Sequence, residues 1–343
     1  MIRPTFHPCT AWLGATLVAL LCMVTEGMAQ ETLIRGFADV TYRASDRDEE
    51  SGSFGLGQLD LYVSSQISER IRFLSEIVFE YDEGWLVDVE RIEVEYTANR
   101  YLSVQAGKRH SPIGIWNTEY HHGALMQPTI DRPLMFRFED EGGALPIHTT
   151  GLSISGSNVG TAHLAYDVMV GNGIGSTPTS DNNEAKSVTA RLFSQVTPGT
   201  RLGGSWYTDH ISAGSESLAG GVLTDPLRMN LFEFFGTYSG PQLELMGEYL
   251  HARNKGAAST TTSNAFYAYG GLRLGRAVPY VMLESMGLDA SDPYFAANDI
   301  DQLVVGFRWD LDATAVLKAE VHRLHSTLFG DATEFAIQVA IAY

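Results

Sequence analysis

The chain has few lysines and few cysteines, and after Ala29 it has no long hydrophobic run. Both cysteines, Cys9 and Cys22, precede Ala29, so the rest of the chain can form no disulfide. A membrane-spanning helix needs about 20 consecutive apolar residues, and the missing run therefore excludes a helical membrane protein. The formal net charge of −18 argues against nucleic acid as a partner, because phosphate binding requires a surplus of lysine and arginine.

The segment 1–29 has the pattern of a secretory signal peptide. Arg3 gives a basic start, Leu13 to Val24 are mostly apolar, and Gly27-Met28-Ala29 forms a small-x-small cleavage site. The apolar part is too short to cross a bilayer as a helix, so we expect cleavage after Ala29, with a retained membrane anchor as the alternative. Residues 30–343 contain no linker or low-complexity tract and are predicted to form a single domain.

The C-terminal segment alternates between two kinds of residue. From Thr333 to Tyr343, Phe, Ile and Val alternate with Glu, Gln and Ala. The wall of a membrane barrel needs this period of two over about ten residues, although one strand of a soluble β-sandwich would also fit. An aromatic last residue resembles the C-terminal signal of bacterial outer-membrane barrels. The resemblance implies that the barrel-assembly machinery recognises Phe335 to Tyr343.

Connection lengths alternate along the whole chain. Short connections such as Ser68-Glu69 and Gly240-Pro241 alternate with long polar ones such as 171–184 and 210–227. Membrane barrels have short turns on one rim and long loops on the other. The sequence therefore predicts an all-β fold, a transmembrane antiparallel β-barrel of about 16 strands, with 14 or 18 as alternatives. The predicted strands are 32–43, 54–67, 70–81, 87–97, 101–109, 149–157, 160–170, 185–196, 200–209, 228–239, 242–253, 264–275, 277–287, 301–310, 313–325 and 332–343.

The same alternation predicts which side chains face outwards. Ile71 and Phe73 share the lipid face of one strand, whereas Lys318, Glu320 and His322 share the inner face of another. A barrel of this size is too wide to be filled by side chains, and we expect an aqueous channel. Acidic residues outnumber basic residues at the inward positions. The acidic residues are Asp39, Asp60, Glu76, Glu80, Glu93, Glu95, Glu244, Glu248, Glu284 and Glu320, and the basic residues are Arg35, Arg72, Arg91, Arg191, Arg273, Arg308 and Lys318. The aromatic residues predicted to lie at the membrane interfaces are Tyr42, Tyr96, Tyr101, Trp206, Tyr249, Tyr280 and Trp309.

The longest connection, 110–148, follows the fifth strand. Such a length is typical of a functional or disordered segment, and its aromatic residues and prolines argue against disorder. The sequence from Gly107 to Asn117, GKRHSPIGIWN, followed by Arg132-Pro133, resembles the pattern of the phosphate-selective porin O and P superfamily. This resemblance implies a sixteen-stranded outer-membrane porin, usually trimeric, whose loop folds inwards and narrows the pore.

We therefore interpret the chain as an outer-membrane porin for passive diffusion of ions and small hydrophilic solutes. Because the chain has only four lysines, we do not expect it to select phosphate. We expect weak selectivity that favours cations. A non-conducting surface receptor or adhesin is the alternative, and a barrel hydrolase is a third hypothesis. The candidate residues of the constriction are Lys108, Arg109, Trp116, Asn117, Glu119, Tyr120, His121, His122, Arg132 and Arg137.

Neither metal binding nor catalysis is expected from the sequence. His121-His122, with His110, His148 and Glu119, offers ligands that suit a transition metal. Adjacent side chains of an extended segment point apart, however, so we expect no metal site and no cofactor. No G-x-S-x-G motif is present, and an enzyme is not expected. The expected partners are outer-membrane lipid, the permeating solutes and, in a homotrimer, further copies of the chain.

Overall fold

The computed structural model describes residues 31–47, 52–81, 84–121, 123–138 and 141–343. The predicted signal peptide and His122 lie outside these residues. Thr32–Tyr343 form one compact unit, a closed antiparallel barrel of sixteen strands in which every strand pairs with its neighbours in sequence. The predicted fold class and strand number are confirmed. Among the described residues, no helix has the length and apolar character needed to cross a membrane.

The strand boundaries lie within a few residues of those predicted. The strands are β1 (Glu31–Ser45), β2 (Ser53–Gln66), β3 (Ile71–Tyr81), β4 (Trp85–Asn99), β5 (Leu102–His110), β6 (His148–Val159), β7 (Leu164–Asn172), β8 (Lys186–Thr197), β9 (Thr200–Ile211), β10 (Leu227–Ser239), β11 (Leu243–Lys255), β12 (Thr260–Leu272), β13 (Ala277–Leu288), β14 (Asn298–Asp312), β15 (Ala315–Ser326) and β16 (Ala332–Ala342). Two short helical turns, Trp116–Tyr120 and Leu134–Phe136, lie between β5 and β6.

The barrel closes between its first and last strands. The register runs from Phe37 opposite Ala342 to Ser45 opposite Glu334. Gly36 and Tyr343 exchange two backbone hydrogen bonds of 2.9 and 3.0 Å. Closure leaves no strand edge with unpaired backbone groups, which lipid could not satisfy. We call the rim where β1 begins and β16 ends the terminal rim.

The predicted faces are confirmed for most strands. Lys318, Glu320 and His322 of β15 point inwards and are buried, whereas Val321 between them is exposed on the outer surface. The predicted position at the membrane interface was wrong for Tyr280, whose side chain points inwards and donates a hydrogen bond of 2.5 Å to Glu320. Its hydroxyl can be placed there because a buried carboxylate accepts the bond that water would otherwise make.

The segment 111–147, which we call the lumen loop, folds into the barrel as predicted. Its apolar side chains pack against the inner faces of β9 to β14, and together they form the main hydrophobic core. One side of the lumen is therefore dry, contrary to the expectation that inward side chains would line water throughout. Lys318 and Glu320 are covered by the loop and are only 0% and 1% exposed. The core includes Ile113, Ile115, Trp116, Leu134, Met135, Phe136, Leu145 and Ile147 of the loop.

Candidate functional site

The two ends of the lumen loop are held together at its base. Ser111 donates its backbone N–H to the carbonyl of Ile147 at 2.8 Å. Asn117 then donates its amide to the carbonyls of Ser111 and Ile147, at 2.9 and 3.1 Å. Gly114 adopts a φ of +65°, and an added Cβ would lie 2.2 Å from Oε2 of Glu248. The turn after β5 therefore needs glycine for its backbone angle and for its close approach to the wall.

Three carboxylates of the barrel wall hold the backbone of the lumen loop. Glu248 accepts hydrogen bonds from the N–H groups of Ile115 and Trp116, at 2.7 and 2.8 Å. We call Glu248, Glu284 and Glu320 the anchoring carboxylates, because each is buried and each accepts from a loop N–H. Glu284 accepts from Leu134 at 2.6 Å and Glu320 accepts from Ile130 at 2.8 Å. A buried N–H without an acceptor would cost about 1–3 kcal/mol, so these bonds determine where the loop lies.

Lys318 also holds the lumen loop, but it binds carbonyl groups, whereas the anchoring carboxylates bind N–H groups. Its ammonium donates to the carbonyls of Ala124 and Thr129, at 2.6 and 2.9 Å. A third bond of 3.1 Å reaches Oε1 of Gln338 on β16. A buried lysine can keep its charge only where its donors are satisfied and countercharges lie near. Lys318 thus holds the loop segment 124–129 close to β15 and β16.

The loop is also tied to β1, which lies next to β16 in the closed sheet. Arg43 forms a two-pronged ion pair with Asp131, in which Nη1 lies 3.0 Å from Oδ2. Although burial acts to raise it, the guanidinium of Arg43 holds the pKa of the Asp131 carboxyl well below its usual range. A two-pronged arginine and carboxylate contact fixes orientation as well as distance. The charge of Arg43 is therefore largely neutralised.

A polar cavity of about 970 Å³ lies between the lumen loop and the inner faces of β1 to β4. Its lining reaches the rim opposite the terminal rim, where β1 ends and β2 begins. Carboxylates predominate in its lining, with seven against three arginines. The charged residues are Asp39, Arg43, Glu80, Asp88, Glu90, Asp131, Arg132, Arg137, Glu141 and Glu334.

A second cavity of about 360 Å³ lies towards the terminal rim. Leu125, Met126 and Pro128 line it from the loop side. Ala124, Gln127 and Ile130 of the same segment line the large cavity. Residues Ala124–Asp131, which we call the partition segment, thus lie between the two cavities and line both.

The two predicted constriction residues on β5, Lys108 and Arg109, point to opposite faces of the strand. Arg109 points into the lumen, where Nη2 lies 3.0 Å from Asp167 and Nε lies 3.7 Å from Glu93. Lys108 pairs with Ile92, an exposed residue of the outer face, and its ammonium bonds the carbonyl of Val89 at 2.8 Å. Because neighbours in a strand face opposite sides, the two cations do not form one cluster.

Four predicted residues belong to the first turn of the loop. Trp116 and Asn117 are fully buried, Trp116 against the ring of Tyr267 at 5.9 Å. Glu119 binds Arg201 of β9 through two contacts of 2.5 and 2.8 Å. Tyr120 lines the second cavity, and burial raises the pKa of its hydroxyl.

The remaining predicted residues lie near the large cavity. Arg132 and Arg137 line it, and the guanidinium of Arg132 stacks over Phe138 at 4.2 Å. His121 is buried beside Arg132, with its Nδ1 3.4 Å from Nη1. Sequence reasoning did not place Arg43, Asp88 or Glu90 in the site, although their strands were predicted. Asp39 and Glu80, which also line the cavity, could have been assigned to it from the sequence, because the alternation predicted that they point inwards.

Structural comparison places the barrel among outer-membrane porins in fold. The anion-selective porin from Comamonas acidovorans superposes with a TM-score of 0.69 at 12% sequence identity, over 92% of this chain and 100% of that chain. OmpF of Salmonella typhi in complex with daunomycin gives 0.67 at 11% identity, over 92% and 98%. The trimer form of in-vitro folded OmpT of Vibrio cholerae gives 0.63 at 13% identity, over 92% and 100%. The sequence matches no family model and no curated protein.

Proposed function

We propose that the chain is an outer-membrane porin through which small cations and uncharged hydrophilic solutes diffuse passively. The observation that carries this proposal is the polar cavity beside the lumen loop, which lies inside a closed barrel and has a lining dominated by carboxylates. Fixed charges in a narrow passage attract counter-ions and repel co-ions. With Arg43 paired to Asp131, six carboxylates and two arginines remain in the lining, so its fixed charge is negative.

The proposed selectivity differs from what the resemblance to the phosphate-selective porin O and P superfamily implies. Phosphate recognition needs several guanidinium or ammonium groups converging on one point. Lys108 and Arg109 lie on opposite faces of β5, and Arg109 is bound to Asp167. Arg132 and Arg137 share the large cavity with a majority of carboxylates. These placements support a weak preference for cations.

The test is single-channel recording in planar bilayers with a potassium chloride gradient. Wild-type protein should conduct, and its reversal potential should indicate a preference for potassium that fades as ionic strength shortens the Debye length. Replacing Glu80→Gln and Asp88→Asn together should shift the reversal potential towards zero. Glu69→Gln, in an exposed turn at the terminal rim, is the matched control and should not shift it.

Two results would contradict this function. Folded barrels that insert but never conduct would favour the receptor or adhesin. A strong anion preference, with current blocked by added phosphate, would instead support the phosphate selectivity that the superfamily resemblance implies.

The proposal includes the setting in which the barrel works. We place it in the bacterial outer membrane after export by the segment 1–29, with its outward apolar residues against lipid and its C-terminal strand delivered to the barrel-assembly machinery. A homotrimer is the proposed assembly, in line with the trimer form of the similar OmpT structure. Unheated gel electrophoresis with and without chemical cross-linking measures the number of chains. The proposed activity is conduction, without catalysis.

A further inference from the structure

Three histidines meet where the lumen loop leaves and rejoins the barrel. His110 ends β5, His148 begins β6 directly opposite it in the register, and His121 returns from within the loop. One ring nitrogen of each lies within 4.8 Å of the others. The ring centres are 4.5 Å apart for His110 and His121, 5.2 Å for His110 and His148, and 4.9 Å for His121 and His148.

We propose that this cluster binds one divalent transition-metal ion, with zinc as a suitable occupant. Neutral imidazole is a preferred ligand of zinc, copper and nickel. Zinc to nitrogen bonds of about 2.0–2.1 Å hold tetrahedral ligands about 3.4 Å from one another. The nitrogens therefore need to approach by at most about 1.4 Å from the 4.8 Å limit of the cluster. Binding therefore requires the three rings to rotate towards one another by that amount.

The surroundings of the three rings suit a metal ion. Oε2 of Glu90 lies 2.8 Å from Nε2 of His148, and a carboxylate next to a ligating histidine orients the ring and increases its basicity. The ring of Phe138 covers His121 and His148, with centres 5.4 and 6.2 Å away. Glu90 and Phe138 also line the large cavity, so an ion can approach the cluster from there.

The expectation of no metal site covered these three histidines together with His122 and Glu119. It rested on the adjacency of His121 and His122, whose side chains would point apart in an extended segment. The cluster needs only His121 from that pair. Its other members come from β5 and β6, which the barrel brings together across the base of the loop.

One neighbouring group opposes the ion and provides a test. Nη1 of Arg132 lies 3.4 Å from Nδ1 of His121, and its positive charge would repel a divalent cation. Removing this charge should therefore strengthen metal binding. A purely structural role of the three histidines would give no such gain, because it involves no cation to repel.

The experiment uses the untagged, folded barrel in detergent after chelator treatment. Isothermal titration with zinc should show one saturable site per chain. Copper(II) added to the same protein should give an electron paramagnetic resonance spectrum with couplings to several imidazole nitrogens. His121→Ala should weaken zinc binding at least about tenfold. His325→Ala is the control, because this exposed histidine pairs with Asp331 and is not part of the cluster, and it should leave the affinity unchanged.

Arg132→Gln completes the set and should bind zinc more tightly than the wild type. Heat-modifiable migration on gels shows that each variant is folded, and His121→Gln replaces His121→Ala if that variant is not. Absence of a one-to-one site in the wild type would overturn the proposal. So would equal zinc affinity in the wild type, the His121 variant and Arg132→Gln.

Discussion

The backbone N–H of Ile130 donates a hydrogen bond of 2.8 Å to Oε1 of Glu320. The same carboxylate oxygen accepts the hydroxyl of Tyr280 at 2.5 Å, and Oε2 lies 2.7 Å from Nε2 of His322. One buried side chain thus satisfies the loop and two wall residues at once. The position of the partition segment depends on the barrel wall more than on the loop's own conformation.

Replacing Glu320→Ala should loosen the lumen loop without opening the barrel. The change leaves the N–H of Ile130 and the hydroxyl of Tyr280 without their acceptor, at a cost of about 1–3 kcal/mol for each buried group. Hydrogen exchange followed by mass spectrometry should show faster exchange in 123–138. Glu95→Ala is the control, because Glu95 pairs with Arg72. Equal acceleration in both variants would contradict an anchoring role.

Replacing Lys318→Met should move the partition segment away from β15 and β16. Methionine keeps much of the side chain's length but cannot donate to the carbonyls of Ala124 and Thr129. We expect larger or noisier unitary conductance in planar bilayers, because the passage between the two cavities would widen. Lys255→Met, at the exposed end of β11, should behave like the wild type. Unchanged current in Lys318→Met would mean that the segment does not limit flow.

Cysteines introduced into the partition segment should react from different sides of the membrane. Removal of the segment 1–29 leaves the chain without natural cysteines. Ala124→Cys lies in the large cavity and Met126→Cys in the second one. A membrane-impermeant thiol reagent should therefore modify Ala124→Cys faster from the rim opposite the terminal rim, and Met126→Cys faster from the terminal rim. Current through the channel reports the reaction.

Leu328→Cys is the control for that experiment. Leu328 is exposed in the connection after β15, and its modification should leave the current unchanged. Identical rates from both sides at Ala124→Cys and Met126→Cys would show that the segment is no barrier.

Deleting 334–343 should abolish the heat-modifiable folded barrel. The deletion removes the partners of β1 from Phe37 to Ser45 and leaves two strand edges open. Each unsatisfied backbone group in lipid costs several kcal/mol. A deletion of equal length in a long connection, 213–222, should still give folded barrel. Normal amounts of the folded protein lacking 334–343 would count against closure at this seam.

The strands could be predicted from the sequence because their signals are local. The alternation of apolar and polar residues in a strand, and the turn residues of a connection such as Ser68-Glu69, can be recognised without knowing which distant residues they contact. The opposite faces of Lys108 and Arg109 follow from that same period, although the two were predicted to share a constriction. The contact between Ile130 and Glu320 could not be predicted, because it depends on the height at which the loop crosses the lumen.

The dry side of the lumen escaped prediction for a related reason. Apolar loop residues such as Ile115 and Trp116 indicate burial, but the sequence does not show against which strands they pack. In the sequence alone, inward residues such as Tyr267 and Met282 therefore look like isolated hydrophobic positions in a polar lining. Only the packed arrangement shows that they belong to one core. The histidine cluster depends likewise on the pairing of β5 with β6.

The anchoring carboxylates also constrain the order in which the protein can fold. The lumen loop is synthesised early, yet its three wall partners follow it by 133, 150 and 190 residues. Until β11, β13 and β15 are present, the loop's buried N–H groups have no acceptor. Contacts of such long range form late and slowly. The interior of this barrel therefore becomes rigid only when the sheet is nearly complete, so a trapped or truncated intermediate would contain a loose loop.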